Sequence, residues 1–124
     1  MTTIQATQAP RFELPGLVFT GLASPSRGST DLCTWRLEVE RGFASTDAHT
    51  LDRDEVFMVV AGSIRLSPDD VPIEAGDASV VPAGVPIQVS NAGDGPATVI
   101  VAIAAGFRAT TEDGTEIGTP PWAD

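Results

Sequence analysis

Glycine and proline interrupt this chain so often that long helices are disfavoured from the outset. The 124 residues include 12 glycines and 10 prolines, which separate short apolar runs. Short apolar runs separated by glycine and proline are typical of strands joined by tight turns. The hydrophobic fraction of 42% is sufficient for a buried core in one domain of this length. We therefore predict an all-β domain.

Two stretches carry the clearest strand signals. Apolar and polar residues alternate over residues 31–40, with Trp35 and Leu37 on the apolar face, as in a strand buried on one side. The run Glu55–Ala61 is almost continuously apolar, which predicts a strand covered on both faces. Further short apolar runs bring the total to eight or nine strands, as in a β-sandwich or barrel.

The charge of the chain limits its partners. The formal net charge is −10, and all seven basic residues are arginine. Such a surface repels phosphate backbones and anionic lipids, so we expect neither nucleic acid nor a membrane as partner. The sequence shows no leader-like N-terminus and no run approaching a membrane span. We expect a cytoplasmic protein that binds a small molecule and forms a homodimer.

Two spaced motifs carry a specific resemblance. In the first, Gly42 is followed by His49, then by Glu55, and after six more residues by Gly62. The second runs from Gly76 through Pro82-Ala83-Gly84 and Ile87 to Asn91. Together they resemble the two sequence motifs of the cupin family and span about half of the chain.

This resemblance implies a fold and a division of the chain. The fold expected is a single cupin-type double-stranded jelly-roll β-barrel, formed by residues 11–107. Residues 1–10 would be a flexible or edge-pairing arm, and residues 108–124 a tail packed on the outside of the barrel. Trp35 and Trp122 are interpreted as core and terminal anchors, and the single cysteine, Cys33, as a buried inert thiol.

The resemblance also implies a metal site, and here the sequence departs from the family pattern. In similar cupins, three histidines and a glutamate converge on an ion inside the barrel. His49 and Glu55 match two of these positions, whereas Leu51 and Ile87 occupy the positions of the other two histidines. Since the chain has one histidine, we expect no metal cofactor. A weak divalent-metal site completed by substrate or water remains the minority interpretation.

Without a metal, the two retained residues lead to a hypothesis about function. If His49 and Glu55 point into the barrel, an apolar pocket surrounds them, lined by Leu51, Phe57, Val59, Ile87 and Val89. In such surroundings an acid–base pair can work near neutral pH. The chain would then be a metal-independent lyase, isomerase or dehydratase acting on a small carbonyl or sugar-like substrate.

Other interpretations of the same residues stay open. The barrel could be a non-catalytic module that binds a hydrophobic metabolite or serves dimerisation. His49 could equally be an ordinary loop residue and Glu55 a carboxylate at the end of a strand. Because the cupin barrel hosts many unrelated functions, the fold alone does not choose between them.

Overall fold

Twelve strands and two short 3₁₀ turns make up the regular structure, in a computed structural model that describes residues 1–124. The prediction of an all-β fold is confirmed. The strands are β1 (Arg11–Leu14), β2 (Leu17–Gly21), β3 (Leu32–Val39), β4 (His49–Leu51), β5 (Glu55–Ala61), β6 (Ser63–Ser67), β7 (Ile73–Glu74), β8 (Ala78–Val81), β9 (Gln88–Ser90), β10 (Ala97–Ala104), β11 (Ala109–Thr111) and β12 (Glu116–Gly118). The turns lie at Pro25–Arg27 and Pro121–Ala123.

One layer of the barrel is a six-stranded antiparallel sheet in the order β1-β2-β3-β10-β5-β8. Strands β3 and β10 pair along eight positions, from Leu32 opposite Ala104 to Val39 opposite Ala97. Both alternate between buried and partly exposed residues, because successive side chains of a strand point to opposite faces. The alternation seen over residues 31–40 of the sequence thus sets the inward face of this layer.

The second layer consists of two three-stranded groups, β12-β11-β4 and β7-β6-β9. Isolated bridges connect the groups, one between His49 and Ile87 and one between Ala44 and Ser90. At the first bridge the backbone N–H of each residue donates to the carbonyl of the other, at 3.0 and 2.9 Å. The two layers enclose one hydrophobic core cluster of 21 buried residues.

Strand β5 differs from its sequence-based prediction. Its inward residues Phe57 and Val59 are buried, but Met58 is 37% and Val60 58% exposed. The strand is covered on one face only, and the prediction of burial on both faces is wrong. The reason is that β5 lies in an antiparallel sheet, whose outer face carries no helix or second layer.

The predicted C-terminal tail, residues 108–124, adds two strands to the second layer. Strand β11 pairs with β4 in the second layer, with Ala109 opposite Leu51, and β12 pairs with β11. Residues 1–10 form no strand. No helix of this protein has the length and apolar character that a membrane crossing requires.

Candidate functional site

The two layers leave an apolar space between them, called here the central cavity, with a volume of about 250 Å³. Thirteen of its seventeen lining residues are hydrophobic. Apart from the indole N–H groups of Trp35 and Trp122, its lining has three polar side chains, those of Ser45, His49 and Glu55. The Ser45 hydroxyl already donates to the Asp47 carbonyl at 2.9 Å. His49 and Glu55 are therefore the titratable groups in this cavity that could exchange protons with a ligand, and Nε1 of Trp122 is a further buried donor without a partner.

Glu55 begins strand β5 and is held there from both sides. Its backbone lies opposite Ile103 of β10 and Val81 of β8, and alternation along β5 places its side chain on the inward face with Phe57. Glu55 is only 3% exposed, and its Oε1 is buried without a hydrogen-bond partner. This desolvation raises the pKa of Glu55 from 4.5 to about 8. At neutral pH most molecules therefore carry Glu55 as an uncharged carboxylic acid.

His49 begins strand β4, and its backbone is fixed between two neighbours. It pairs with Thr111 of β11 on one side and with Ile87 on the other. Burial lowers the pKa of the imidazole below its ordinary value of 6.5, because desolvation disfavours the charged form. At neutral pH His49 is therefore a neutral imidazole, able to accept a proton.

The remaining residues predicted for the pocket divide into two sets. Leu51, Phe57 and Val89 line the central cavity together with His49 and Glu55. Val59 and Ile87 do not belong to its lining, although both are 3% exposed. Ile87 instead helps to line a separate surface hollow, called here the outer depression, which β6, β7, β8 and their loops form. Val59 belongs to the core cluster.

The sequence-based prediction included only one of the aromatic residues that line the cavity, Phe57. Six of the seven aromatic residues of the chain line the central cavity: Phe19, Trp35, Phe43, Phe57, Phe107 and Trp122. The sequence allows Trp35 and Trp122 to line the mouth of a pocket, but it favours core and terminal anchors and does not identify them as site residues. No local pattern indicates a shared cavity, since these residues lie up to 103 positions apart, from Phe19 to Trp122.

A glycine in the first hairpin makes room for one of these aromatic rings. Gly16 lies between β1 and β2 with a φ of +80°, and a Cβ there would lie 2.6 Å from Cδ1 of Phe43. Only glycine combines that backbone conformation with so close an approach. The hairpin can therefore pack directly against Phe43 at the cavity.

Trp122 reaches the cavity because the chain end is tied to the opposite part of the fold. Its ring stacks on Phe19 with centroids 3.8 Å apart and an interplanar angle of 15°. The backbone carbonyl of Trp122 accepts a hydrogen bond from the guanidinium of Arg27 at 2.8 Å, and that of Ala123 accepts one from the thiol of Cys33 at 3.2 Å. The last turn of the chain is thus part of the cavity wall.

The donors present do not fit a resident metal ion. Divalent ions in such sites need three or four imidazole or carboxylate ligands, and no three His, Cys, Asp or Glu side chains come together anywhere in the structure. The cavity offers one imidazole and one carboxyl group. The latter would have to give up its proton in apolar surroundings, which adds to the cost of binding an ion there.

The barrel, the two motifs and the internal cavity together define a jelly-roll protein with a cavity of about 250 Å³ between its layers. Residues 35–103 match the family described as Cupin domain, which is more than half of the chain. The chain belongs to the cupin family.

Solved structures show the same fold at low sequence identity. The polyketide cyclase RemF from Streptomyces resistomycificus superimposes with a TM-score of 0.74 and 17% identity, covering 84% of this chain and 79% of that one. A cupin-superfamily sugar phosphate isomerase from Silicibacter pomeroyi gives 0.73 and 22%, covering 95% and 92%. KdgF from a Halomonas species gives 0.66 and 20%, covering 84% and 94%. No curated protein matches the chain.

Proposed function

We propose that this cupin binds a small organic molecule in the central cavity and transfers protons on it without a metal, as an isomerase, lyase or dehydratase. One observation carries the proposal: two titratable side chains, His49 and Glu55, line an otherwise apolar cavity and have no charged partner there. A structural role alone does not account for Glu55, because an unpartnered buried carboxyl group costs stability.

The protonation states assign the two roles. His49 is the base, since its imidazole is neutral, and Glu55 is the acid, since its carboxyl group holds a proton at neutral pH. Burial thus shifts the two pKa values in opposite directions, and each group is in the form that its role requires. The structure provides no tyrosine for either role, because the chain has none.

The proposed step is an enolisation that balances within the cavity. His49 takes a proton from the carbon next to a carbonyl group, while Glu55 gives its proton to the carbonyl oxygen, which leaves an enol. The Glu55 carboxylate then takes the hydroxyl proton back, and the imidazolium returns its proton to the same or a conjugated carbon. The charges formed in between are opposite and share one cavity, so they stabilise each other.

The direct test is hydrogen–deuterium exchange at the α-carbon of a ketone panel (1-tetralone, cyclohexanone and dihydroxyacetone) in D₂O, followed by NMR. We expect protein dialysed against a chelator to catalyse exchange of at least one ketone. His49→Gln and Glu55→Gln should each slow it by about 10²-fold or more. Asp69→Asn, on the exposed wall of the outer depression, is the matched control and should not change the rate.

Three results would contradict the proposal. These are exchange that appears only after a divalent metal is added, exchange that survives in His49→Gln, and binding of ketones without any exchange. The last result would favour the second candidate function, a non-catalytic binding barrel, which the aromatic cavity wall also suits.

A further inference from the structure

We infer that the ligand of the central cavity is a flat, uncharged, ring-bearing molecule of about two fused rings, with a carbonyl oxygen that accepts a hydrogen bond from Glu55. This inference rests on the proposed function for the identity of the donor and names the class of molecule on which it acts. Four features of the cavity carry it: its aromatic walls, its lack of cationic side chains, its volume and its one unpartnered carboxyl group.

The aromatic walls favour flat rings. Phe19 and Trp122 are stacked with their rings nearly parallel, and Trp35 and Phe107 form a second stacked pair with centroids 6.0 Å apart. All four rings line the same cavity. Offset stacking and edge-to-face contacts with such walls stabilise a planar apolar ligand more than a polyhydroxylated one, whose hydroxyl groups would lose water without finding partners.

The charge of the lining disfavours anions. None of the seven arginines lines the central cavity, and the chain has no lysine. A phosphate or carboxylate group would therefore be buried without a counter-charge, in a protein of net charge −10. A cation could contact the aromatic faces. Its charge would be balanced in the cavity only if Glu55 ionised, and the apolar surroundings disfavour that ionisation.

The volume limits the size of the ligand. A dry apolar cavity of about 150 Å³ accommodates benzene, and the central cavity measures about 250 Å³. About two fused rings therefore fit. Two buried polar atoms of the lining residues lack a partner, Oε1 of Glu55 and Nε1 of Trp122. Of these, the carboxyl group shares the lining with the imidazole of the proposed base, so a ligand carbonyl at Glu55 would satisfy a group that the fold leaves unsatisfied.

Intrinsic fluorescence is a direct probe, because both tryptophans of the chain, Trp35 and Trp122, line the cavity. The test titrates four molecules of similar size at pH 7: 1-tetralone, tetralin, which lacks the carbonyl, 1-naphthoate, which is anionic, and phenyltrimethylammonium, which is cationic. We expect 1-tetralone to bind about tenfold more tightly than tetralin. The two charged molecules should bind more weakly still.

The variants separate shape from hydrogen bonding. Glu55→Leu replaces the carboxyl group by an apolar side chain of similar volume and removes the hydrogen-bond donor. The variant should still bind tetralin but should no longer prefer 1-tetralone over tetralin. Glu55→Gln keeps an N–H donor and should retain part of that preference. Asp69→Asn in the outer depression should behave as the unmodified protein in every titration.

The inference is overturned if either charged molecule binds as tightly as 1-tetralone, or if Glu55→Leu keeps the full preference. Failure of the proposed function looks different. If 1-tetralone binds as expected but no ketone exchanges its α-protons, only the catalytic proposal fails. If dihydroxyacetone exchanges while 1-tetralone does not bind, catalysis stands and this ligand class is wrong.

Discussion

The central cavity and the outer depression differ in volume, in lining and in exposure to water. Volume is the least informative of these three differences. The outer depression measures about 1030 Å³, roughly four times the central cavity. Its walls are open to water, as the exposures of 61% for Val71 and 62% for Val80 show. The smaller space is lined by nine buried residues, Glu55 among them, although Leu14 (50%) and Ile117 (55%) of its lining are exposed. Burial perturbs the pKa values of His49 and Glu55 in this lining.

Desolvation explains why the smaller space is the better candidate. Asp69 and Asp77 lie on the outer depression, where water solvates carboxylates and screens their interactions. Glu55 is only 3% exposed, and no arginine or lysine lines its cavity. An enclosed apolar site with few convergent polar groups is the usual form of a ligand site, and perturbed titration in a cleft indicates chemistry more than size does.

The prediction with the largest expected effect concerns the free energy of unfolding, whose pH dependence should reflect Glu55 in the central cavity and not the carboxyl groups of the outer depression. His49 is the only other titratable group lining the cavity with Glu55. Because the folded state raises the pKa of Glu55 from 4.5 to about 8, the unfolded chain ionises first as pH rises. Stability is therefore unaffected by Glu55 below about pH 4.5 and falls through the window up to about pH 8.

Glu55→Gln should remove that loss. We expect the variant to match the unmodified protein near pH 4 and to exceed it at pH 9 by up to about 5 kcal/mol in the free energy of unfolding, measured by urea denaturation. The control Asp69→Asn should differ by less than about 0.5 kcal/mol at either pH. Parallel stability curves for the Glu55→Gln variant and the unmodified protein would mean that Glu55 is solvated.

A smaller effect tests whether the chain end is a wall of the central cavity. Trp122→Ala removes the stack on Phe19 and should lower the free energy of unfolding by about 2 kcal/mol, about half of what a fully buried tryptophan contributes. Val80→Ala on the outer depression should cost less than about 0.5 kcal/mol. Equal shifts of the two urea midpoints would show that Trp122 does not pack as described.

The smallest effect concerns the imidazole. His49 is the only histidine of the chain, so its Cε1 proton gives a single assignable NMR signal. We expect this signal to titrate below the ordinary pKa of 6.5 in the folded protein and to return to it in urea, which serves as the control. A pKa that is lower in the folded than in the unfolded protein reduces the free energy of unfolding as pH falls below 6.5. A His49 pKa in the folded protein at or above the value in urea would contradict the burial of the imidazole.

Much of the fold was predictable because it depends on local pattern. Alternation along β3 identified the buried Trp35 and Leu37, and the spaced motifs identified His49 and Glu55, which β4 and β5 of the two layers bring to one cavity. The prediction was wrong for the outer face of β5, where Val60 is exposed. An apolar run is compatible with cover on one or both faces, and only the neighbouring layers determine which applies.

The site was less predictable than the fold. Strand alternation states which side chains point inward, but whether an inward residue borders open space or other side chains depends on packing. For this reason Val59 and Ile87 are buried without lining the central cavity. Trp122 lines it only because hydrogen bonds from Arg27 and Cys33 hold the chain end, and no signal near residue 122 indicates those partners.

By itself, the sequence determined the class of fold and the inward faces of the main strands, and the resemblance to cupins aligned Leu51 and Ile87 with positions where similar cupins carry histidine. The first two follow from side-chain chemistry and period-two alternation, both of which are local. Only the tertiary structure decided that six aromatic rings meet around Glu55 and that its carboxyl group has no partner. Desolvation depends on every element that packs around a group, so the protonation state of Glu55 is a property of the folded chain.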